Sequence, residues 1–359
     1  MKTYFLLLAL AVLLLLFTGC PYGYKFDQGK FPGTPTNMED INSEYDDYNM
    51  SSPTIEGERY LYFSSNRNSA GADFDIVGDI FHVLWYKDDG KLVIDDHSVG
   101  YKNYNYIDSL FRMMNTGYDE FGPYSMPYVY YIDTNGWFYT DMIVYSNNES
   151  GNQDLKLVWF NGEGENPAPS AGHFYGPQPV SFLNSDSNDA YLSFYGPGFV
   201  QYSWGSSPGQ ITEILFCSDR GGNFDIYTTN VPVGLSALEF LQKDTTVTIN
   251  DLPVLNSPYN DKCPYVDGEL LVFTSDRPGG YGGYDLYYSR RNGDSWSNPV
   301  NFGDKINTSY NEYRPILAMY DEFENDLLMF SSDRPGGKGG YDLYYVGIKK
   351  MIFTYLEDK

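Results

Sequence analysis

Residues 273–288, FTSDRPGGYGGYDLYY, recur almost unchanged at residues 330–345 as FSSDRPGGKGGYDLYY. Fourteen of the sixteen positions agree, and the two copies start 57 residues apart. Three weaker copies precede them: FSSNRNSAGADFDI at 63–76, YSNNESGNQDL at 145–155 and FCSDRGGNFDIY at 216–227. Repetition at a regular spacing indicates a repeat architecture, so the chain is predicted to contain five equivalent units.

A second element precedes each copy, in the same order along the chain. It reads INSEYDD at 41–47, MNTGYDE at 114–120, LNSDSND at 183–189, LNSPYND at 255–261 and INTSYNE at 306–312. In the fourth unit, Glu269–Thr274 and Tyr284–Ser289 are rich in apolar and aromatic residues, as strands are, and Asn292-Gly293 is a strong hairpin signal. Each unit is therefore predicted to form four short strands.

These units predict an all-β fold, a five-bladed β-propeller of four-stranded antiparallel blades. The 36 Tyr, 23 Phe, 36 Gly and 20 Pro residues suit strands and turns, and Ser236–Gln242 is the one short helix candidate. An open solenoid is the alternative, ranked lower because four-stranded units without a helix stack poorly in a line. Ring closure needs a strand from one terminus, either Lys25–Phe31 or Met351–Tyr355, and we prefer the first.

The N-terminus predicts export and lipidation. Tyr4–Phe17 is an apolar stretch of 14 residues, too short to span a bilayer of ~30 Å but of signal-peptide length. It runs into Thr18-Gly19-Cys20, which resembles the lipobox of bacterial lipoproteins. The resemblance implies a signal peptide at 1–19 and acylation of Cys20; an ordinary secretory signal is the alternative. Pro21 in place of Asp implies, by resemblance to Gram-negative sorting rules, an outer-membrane lipoprotein facing the periplasm or the cell surface.

The rest of the chain divides into an N-terminal linker at 20–40 and the propeller at 41–359. The formal net charge is −25, which repels nucleic acid and keeps an exported protein soluble. Membrane attachment is predicted through the lipid anchor only. The sequence does not show whether Cys217 and Cys263 form a disulfide, since it gives no distance between them.

Polar residues recur at fixed positions of the repeat, and we predict that they stabilise its turns. Each repeated Asp is expected to pair with the repeated Arg or to accept backbone N–H groups. A weak calcium site formed by these carboxylates is the alternative, and no other cofactor is predicted. The residues are Ser65, Asp75, Ser146, Asp154, Ser218, Asp219, Arg220, Asp225, Ser275, Asp276, Arg277, Asp285, Ser332, Asp333, Arg334 and Asp342.

The segment FSSDRPGGKGGYDLYY, with the Asn-Ser and Asn-Thr elements upstream, resembles the WD40-like β-propeller repeat of the PD40 type. Similar repeats form the periplasmic propeller of the Tol–Pal system. The resemblance covers about residues 41–350 and implies a propeller in the cell envelope with a binding or scaffolding role. The peptidoglycan-binding and helical-repeat domains that accompany the family's repeats are absent from this sequence.

Function is expected where the repeat symmetry breaks. An insertion at 195–210 carries four aromatic residues that are predicted to stack on a sugar or peptide: Tyr195, Phe199, Tyr202 and Trp204. The sequence contains no HExxH or phosphate-binding motif, and its G-x-S-x-G match at 205–209 lies in this insertion and not in a nucleophile elbow between a strand and a helix. The leading prediction is therefore a non-catalytic module that binds an envelope protein or a glycan. A carbohydrate-active hydrolase is the alternative, because 48 acidic residues leave room for a catalytic pair.

Overall fold

The computed structural model describes residues 26–351 except 27, 56–57, 96–104, 133–135, 164–171, 198 and 200–209. Most of this part forms five antiparallel sheets, and the inner strand of each follows an Asn-Ser or Asn-Thr element. The five inner strands contact one another in a closed cycle. The predicted five-bladed all-β propeller is therefore confirmed, and a linear solenoid is excluded.

The strands of the blades are as follows. Blade 5 receives the first strand, β1 (Thr36–Asn37). Blade 1 contains β2 (Asp47–Ser51), β3 (Thr54–Ile55), β4 (Glu58–Ser65) and β5 (Asp75–Ile80), and is followed by a separate hairpin of β6 (His82–Tyr86) and β7 (Lys91–Asp95). Blade 2 contains β8 (Glu120–Ile132), β9 (Gly136–Asn147), β10 (Asp154–Glu163) and β11 (Gly172–Pro179).

Blade 3 contains β12 (Asp189–Tyr195), β13 (Glu213–Ser218), β14 (Asp225–Asn230) and β15 (Asn250–Asp251). Blade 4 contains β16 (Asp261–Asp267), β17 (Leu270–Ser275), β18 (Asp285–Asn292), β19 (Ser295–Trp296) and β20 (Val300–Asn301). Blade 5 is completed by β21 (Glu312–Ala318), β22 (Asn325–Ser332) and β23 (Asp342–Lys349). The inner strands are β2, β8, β12, β16 and β21.

The ring is closed by an N-terminal strand. β1 pairs antiparallel with β23 as the outer strand of blade 5, with Thr36 opposite Tyr345. The predicted position at Lys25–Phe31 is too early, because the described residues of that segment form an isolated bridge between Gly29 and Phe323 but no strand of blade 5. The other candidate, Met351–Tyr355, lies outside the described residues after its first position.

An asparagine bridges each pair of neighbouring blades. Asn307, which precedes blade 5, donates from Nδ2 to the Leu286 carbonyl of blade 4 at 3.0 Å, and its Oδ1 accepts from the Leu286 N–H at 2.8 Å. The equivalent pairs are Asn42–Leu343, Asn115–Ile76, Asn184–Leu155 and Asn256–Ile226. The invariant Asn of the upstream element therefore links every blade to the one before it, including the pair that closes the ring.

Blade 1 departs from the predicted plan. The outer strand expected beside β5 is absent among the described residues, because β6 and β7 pair only with each other. The helix α1 (Asn105–Met114), which the sequence did not predict, packs between blades 1 and 2 instead. Its buried residues recur at helical spacing: Tyr106, Ile107, Leu110 and Met114.

The second helix, α2 (Ala237–Leu241), lies within the predicted 236–242 segment. Ser236 caps it, because its hydroxyl accepts the Glu239 N–H while the Glu239 carboxylate accepts the Ser236 N–H. A short 3-10 turn spans Arg67–Ser69. Within the described ranges, no helix is both long and apolar enough to cross a membrane.

Candidate functional site

The repeated Ser and Arg residues converge on a carboxylate at the N-terminal end of each inner strand. In blade 4, Asp261 accepts the N–H (2.6 Å) and hydroxyl (2.8 Å) of Ser257 and pairs with Arg277. Arg277 also donates to Ser275 Oγ at 2.9 Å and to the Leu255 carbonyl at 2.6 Å. We call this group the polar junction. The equivalent ion pairs in blades 1, 3 and 5 are Arg67–Asp47 with Ser65, Arg220–Asp189 with Ser218, and Arg334–Glu312 with Ser332.

Each of the five repeated aspartates is the first residue of the third strand of its blade. None of them pairs with the repeated arginine, so the expected Asp–Arg ion pair at these positions is wrong. Asp285 accepts the N–H groups of Tyr281 (2.6 Å) and Gly282 (3.2 Å), and Asp342 does the same with its own loop. The other three accept side-chain hydrogen bonds: Asp75 from Asn68, Asp154 from Ser150 and Asp225 from Asn223. Asp219, Asp276 and Asp333 accept both amide groups of Asn188, Asn260 and Asn311 respectively. The repeated carboxylates are thus occupied by internal bonds.

Blade 2 has an altered polar junction. Asn147, and not Ser146, lies opposite the repeated aspartate, so the sequence alignment was one residue out of register. Glu149 consequently stands where the other blades have Arg. Asn147 Nδ2 donates to Glu120 Oε1 at 2.6 Å, and burial raises the pKa of Glu120. This junction therefore contains a buried carboxylate without its arginine.

The insertion at 195–210 does not provide the predicted aromatic platform in its described part. Tyr195 and Phe199 are each 5% exposed and belong to the interior. The Tyr195 hydroxyl lies 3.4 Å from both carboxylate oxygens of Glu269, in the turn after β16. Tyr202 and Trp204 lie outside the described residues. The insertion thus starts beside the C-terminal end of β16.

Neither the cysteines nor the carboxylates form a reactive or metal-binding cluster in the described chain. Cys217 and Cys263 are free and buried, and burial raises the pKa of the Cys263 thiol to about 11. No group of three or more His, Cys, Asp or Glu residues suited to a metal ion occurs in the ranges described.

Each inner strand contains a β-bulge at its third residue, where the backbone enters the left-handed region. The five residues are Asn49 (φ 60°), Gly122 (57°), Tyr191 (57°), Cys263 (56°) and Arg314 (48°). Non-glycine residues adopt this conformation at a cost, and bulges redirect side chains. Because all five inner strands share the bulge, these residues form a ring around the channel on the propeller axis.

The opposite end of the channel, at the C-terminal ends of the inner strands, is called the loop face here. Asp267 ends β16 at this face, remains partly exposed and accepts no hydrogen bond from the described residues. Burial raises the pKa of Asp267 to about 6, the Arg59 guanidinium lowers it, and the Asp326 carboxylate raises it. The Asp267 carboxyl therefore has no hydrogen-bond donor among the described residues and takes up a proton near pH 6.

Tyrosine rings and one arginine surround Asp267. Tyr124 of blade 2 and Tyr265 of blade 4 have ring centroids 6.2 Å apart, so they meet across the axis from blades that are not neighbours. Arg59 donates to the Ser52 carbonyl at 3.3 Å and lies 5.1 Å from the ring centroid of Tyr320. The loop face thus combines a protonatable acid, a cation and aromatic surface.

Asp267 was not among the predicted site residues, because the dipeptide Asp267-Gly268 is typical of a turn. The signal was present, because Asp occurs at this position only in the fourth unit. The other four inner strands have apolar or aromatic residues there: Pro53, Met126, Tyr195 and Ala318. A search for residues that break the repeat within the strands, and not only in insertions, finds it.

Comparisons with known proteins show similar folds only. No family model and no curated protein sequence matches the chain. An endo-arabinase from Bacteroides thetaiotaomicron is 10% identical, with 85% of this chain and 96% of that one covered and a TM-score of 0.46. An α-L-arabinofuranosidase from Podospora anserina (10%, 90% and 96%, 0.43) and an exo-1,5-α-L-arabinanase from a bovine ruminal metagenomic library (10%, 89% and 95%, 0.44) are similar in the same way.

These findings correct several sequence-based predictions. The resemblance to PD40-type repeats is not supported by any family model, and the similar structures are named as glycoside hydrolases instead of Tol–Pal propellers. The non-catalytic binding role and the absence of enzyme activity rested on that resemblance and on the lack of recognised catalytic motifs, and both are withdrawn. At these identities and TM-scores the structural similarity assigns no activity or substrate to this chain.

Proposed function

We propose that the protein is a carbohydrate-active hydrolase whose site is the loop face, with Asp267 as the general acid. Glycoside hydrolysis uses two carboxyl groups, one of which must carry a proton to give to the glycosidic oxygen. The observation that supports the proposal is a partly exposed carboxyl, free of hydrogen bonds to described residues, whose pKa is raised to about 6.

The neighbouring groups fit this role. We assign the second carboxylate to Glu269, which is partly exposed in the same turn and contacts the Tyr195 hydroxyl. The buried Asp326 acts by raising the pKa of Asp267 and does not touch the substrate. Tyr320, which is partly exposed, contacts the Arg59 guanidinium with its ring and holds this cation at the loop face.

The test is a reducing-sugar assay on a panel of plant and bacterial polysaccharides, with activity expected to fall above about pH 6 as Asp267 ionises. Asp267→Asn is expected to lower the rate by roughly 10²–10⁴-fold. Asp294→Asn, at an exposed turn of the same blade, is the matched control and is expected to retain activity. Full activity of Asp267→Asn, or no hydrolysis of any glycan by the wild type, would refute the proposal.

Aryl glycosides with a good leaving group separate the two roles, because their departure needs no protonation. Asp267→Asn is expected to retain hydrolysis of dinitrophenyl glycosides while losing the polysaccharide. Glu269→Gln is expected to lose both, since the nucleophile or base is needed for either substrate. Equal loss of both substrates in Asp267→Asn would assign it a structural role instead.

We also propose, from the N-terminal sequence, that Cys20 is lipidated and holds the protein on the outer membrane. Cys20→Ser is expected to move the protein from the membrane fraction to the soluble fraction and to abolish labelling by a fatty-acid analogue. Membrane retention of this variant would show that another feature anchors the chain.

A further inference from the structure

Arg314 is a buried cation without a counter-charge. It occupies the ring of bulged residues in β21, is 0% exposed, and none of its three guanidinium nitrogens has a hydrogen-bond partner. No carboxylate in the described chain forms an ion pair with it. An arginine cannot escape this cost by losing its proton, since its pKa lies above about 12. A buried, unpaired charge requires a partner that the polypeptide does not supply.

The side chain of Arg314 points into the channel. Its guanidinium carbon lies 5.2 Å from the ring centroid of Tyr191, which belongs to blade 3. Blades 3 and 5 are not neighbours in the ring, so this contact crosses the axis. The guanidinium thus makes a cation–π contact with Tyr191, and this contact satisfies none of its N–H donors.

Further unpartnered polar atoms lie on the adjacent inner strand. Asn49, at the equivalent bulge of β2, has neither amide atom bonded, and the Ser51 hydroxyl is unbonded as well; both residues are 0% exposed. The Asn49 N–H donates to Ser331 Oγ at 3.2 Å, and Ser331 lies opposite the residue that precedes Arg314. The neighbouring inner strands β2 and β21 therefore carry one cation, one amide group and one hydroxyl that are buried and have no hydrogen-bond partner in the described chain.

We propose that Arg314, Asn49 and Ser51 bind a small inorganic anion of halide size in the central channel. The donors are an uncompensated guanidinium, one amide N–H₂ and one hydroxyl, which is a set suited to a monovalent anion and not to a metal ion. The complete burial of the site favours a small ion over a phosphate or a substrate carboxylate. The site shares no residue with the proposed catalytic site, so it stands or falls independently of the proposed hydrolysis.

The direct test is diffraction from crystals of the full chain soaked in sodium bromide, measured at the bromine absorption edge. The expected result is an anomalous peak within hydrogen-bond distance of the Arg314 guanidinium. A peak at that position also distinguishes an anion from ordered water, which gives no anomalous signal. Water alone at the site would overturn the proposal, and this measurement needs no variant.

The solution test compares thermal unfolding in sodium chloride and in sodium gluconate at equal ionic strength, since gluconate is too large for the site. The melting temperature of the wild type is expected to rise by roughly 2–4 °C for each tenfold increase of chloride above its dissociation constant. Arg314→Met is expected to lose this chloride dependence, and Arg112→Met, on the exposed side of α1, to keep it. An identical response of the two variants would contradict the proposal.

Discussion

Asp261 and Asp267 lie at opposite ends of the same strand, β16, and have opposite surroundings. Asp261 accepts two hydrogen bonds from Ser257 and pairs with Arg277, although it is completely buried. Asp267 is partly exposed and accepts no hydrogen bond from the described residues. The first carboxylate has a counterpart in every blade, whereas the second has none.

The comparison separates two uses of the same residue type. A carboxylate that recurs in all blades and is satisfied by neighbours stabilises the fold, because its bonds fix the strand end and the preceding element. A carboxylate that occurs once and lacks such bonds costs free energy when it ionises, and proteins retain such groups mainly at functional sites. Each prediction below tests one part of this distinction.

The largest effect on stability is expected from Asp261→Asn. Removing the charge leaves the half-buried Arg277 without its partner, and the cost of breaking a fully buried pair, about 3–5 kcal/mol, is the upper limit of the effect. Asp267→Asn is expected to leave the free energy of unfolding at pH 7 unchanged or higher. Urea denaturation at equal protein concentration measures both, and equal destabilisation by the two variants would remove the distinction between the ends.

The second prediction concerns Asp141, a fully buried carboxyl whose Oδ1 accepts a hydrogen bond from the Ser125 hydroxyl at 3.1 Å. Burial raises the pKa of Asp141 to about 7, above its unfolded value of 3.8. The folded state therefore binds this proton more tightly, and its contribution to stability is complete below pH 4 and is lost as the pH rises to 7. The loss is at most about 4 kcal/mol at 1.36 kcal/mol per pKa unit.

Asp141→Asn is expected to remove that pH dependence, because the amide does not ionise. Urea denaturation at intervals from pH 4 to pH 8 provides the measurement, with the stability of the variant relative to the wild type increasing from about pH 4 and levelling off above about pH 7. Parallel pH profiles for the two proteins would show that Asp141 is not protonated in the folded state.

The smallest effect is expected where blade 2 departs from the other polar junctions. Glu149→Arg restores the arginine that Glu312 has in blade 5, and is expected to raise the free energy of unfolding by about 1 kcal/mol. The substitution also removes the Lys156–Glu149 ion pair, which contributes little to stability because the glutamate is 55% exposed. Glu149→Gln is the control, since it removes the same pair without adding a cation. Equal stability of the two variants would show that the junction needs no arginine.

Much of the fold was predictable because repeated sequence segments indicate repeated structural units that pack against one another. The near-identity of two 16-residue segments and the recurrence of the Asn-Ser elements gave the number of blades and their boundaries. The role of Asn307 in joining two blades was not predictable, because its partner Leu286 is identified only by the geometry of the ring. Ring closure was assigned to the correct terminus but to the wrong residues, since a two-residue strand has no sequence pattern of its own.

The candidate site was largely invisible in the sequence. Asp267 precedes a glycine, so the pair is typical of a turn and does not indicate a functional carboxyl. The pKa of Asp267 depends on Arg59 and Asp326, which lie about 60 to 210 residues away along the chain. Arg314 could not be recognised either, because a lone arginine in a strand is ordinary until its burial and its missing partners are known. The aromatic insertion was conspicuous in composition, but Tyr195 and Phe199 turned out to pack inward.

The asparagine bridges have a consequence for circular permutation of the chain. The seam between blades 5 and 1, where Asn42 bonds Leu343, is chemically the same as the other four. The blade order therefore has no privileged starting point, and a circularly permuted chain opened at a different seam retains the same five bridges. Such equivalence is what tandem duplication of a single ancestral module would leave behind.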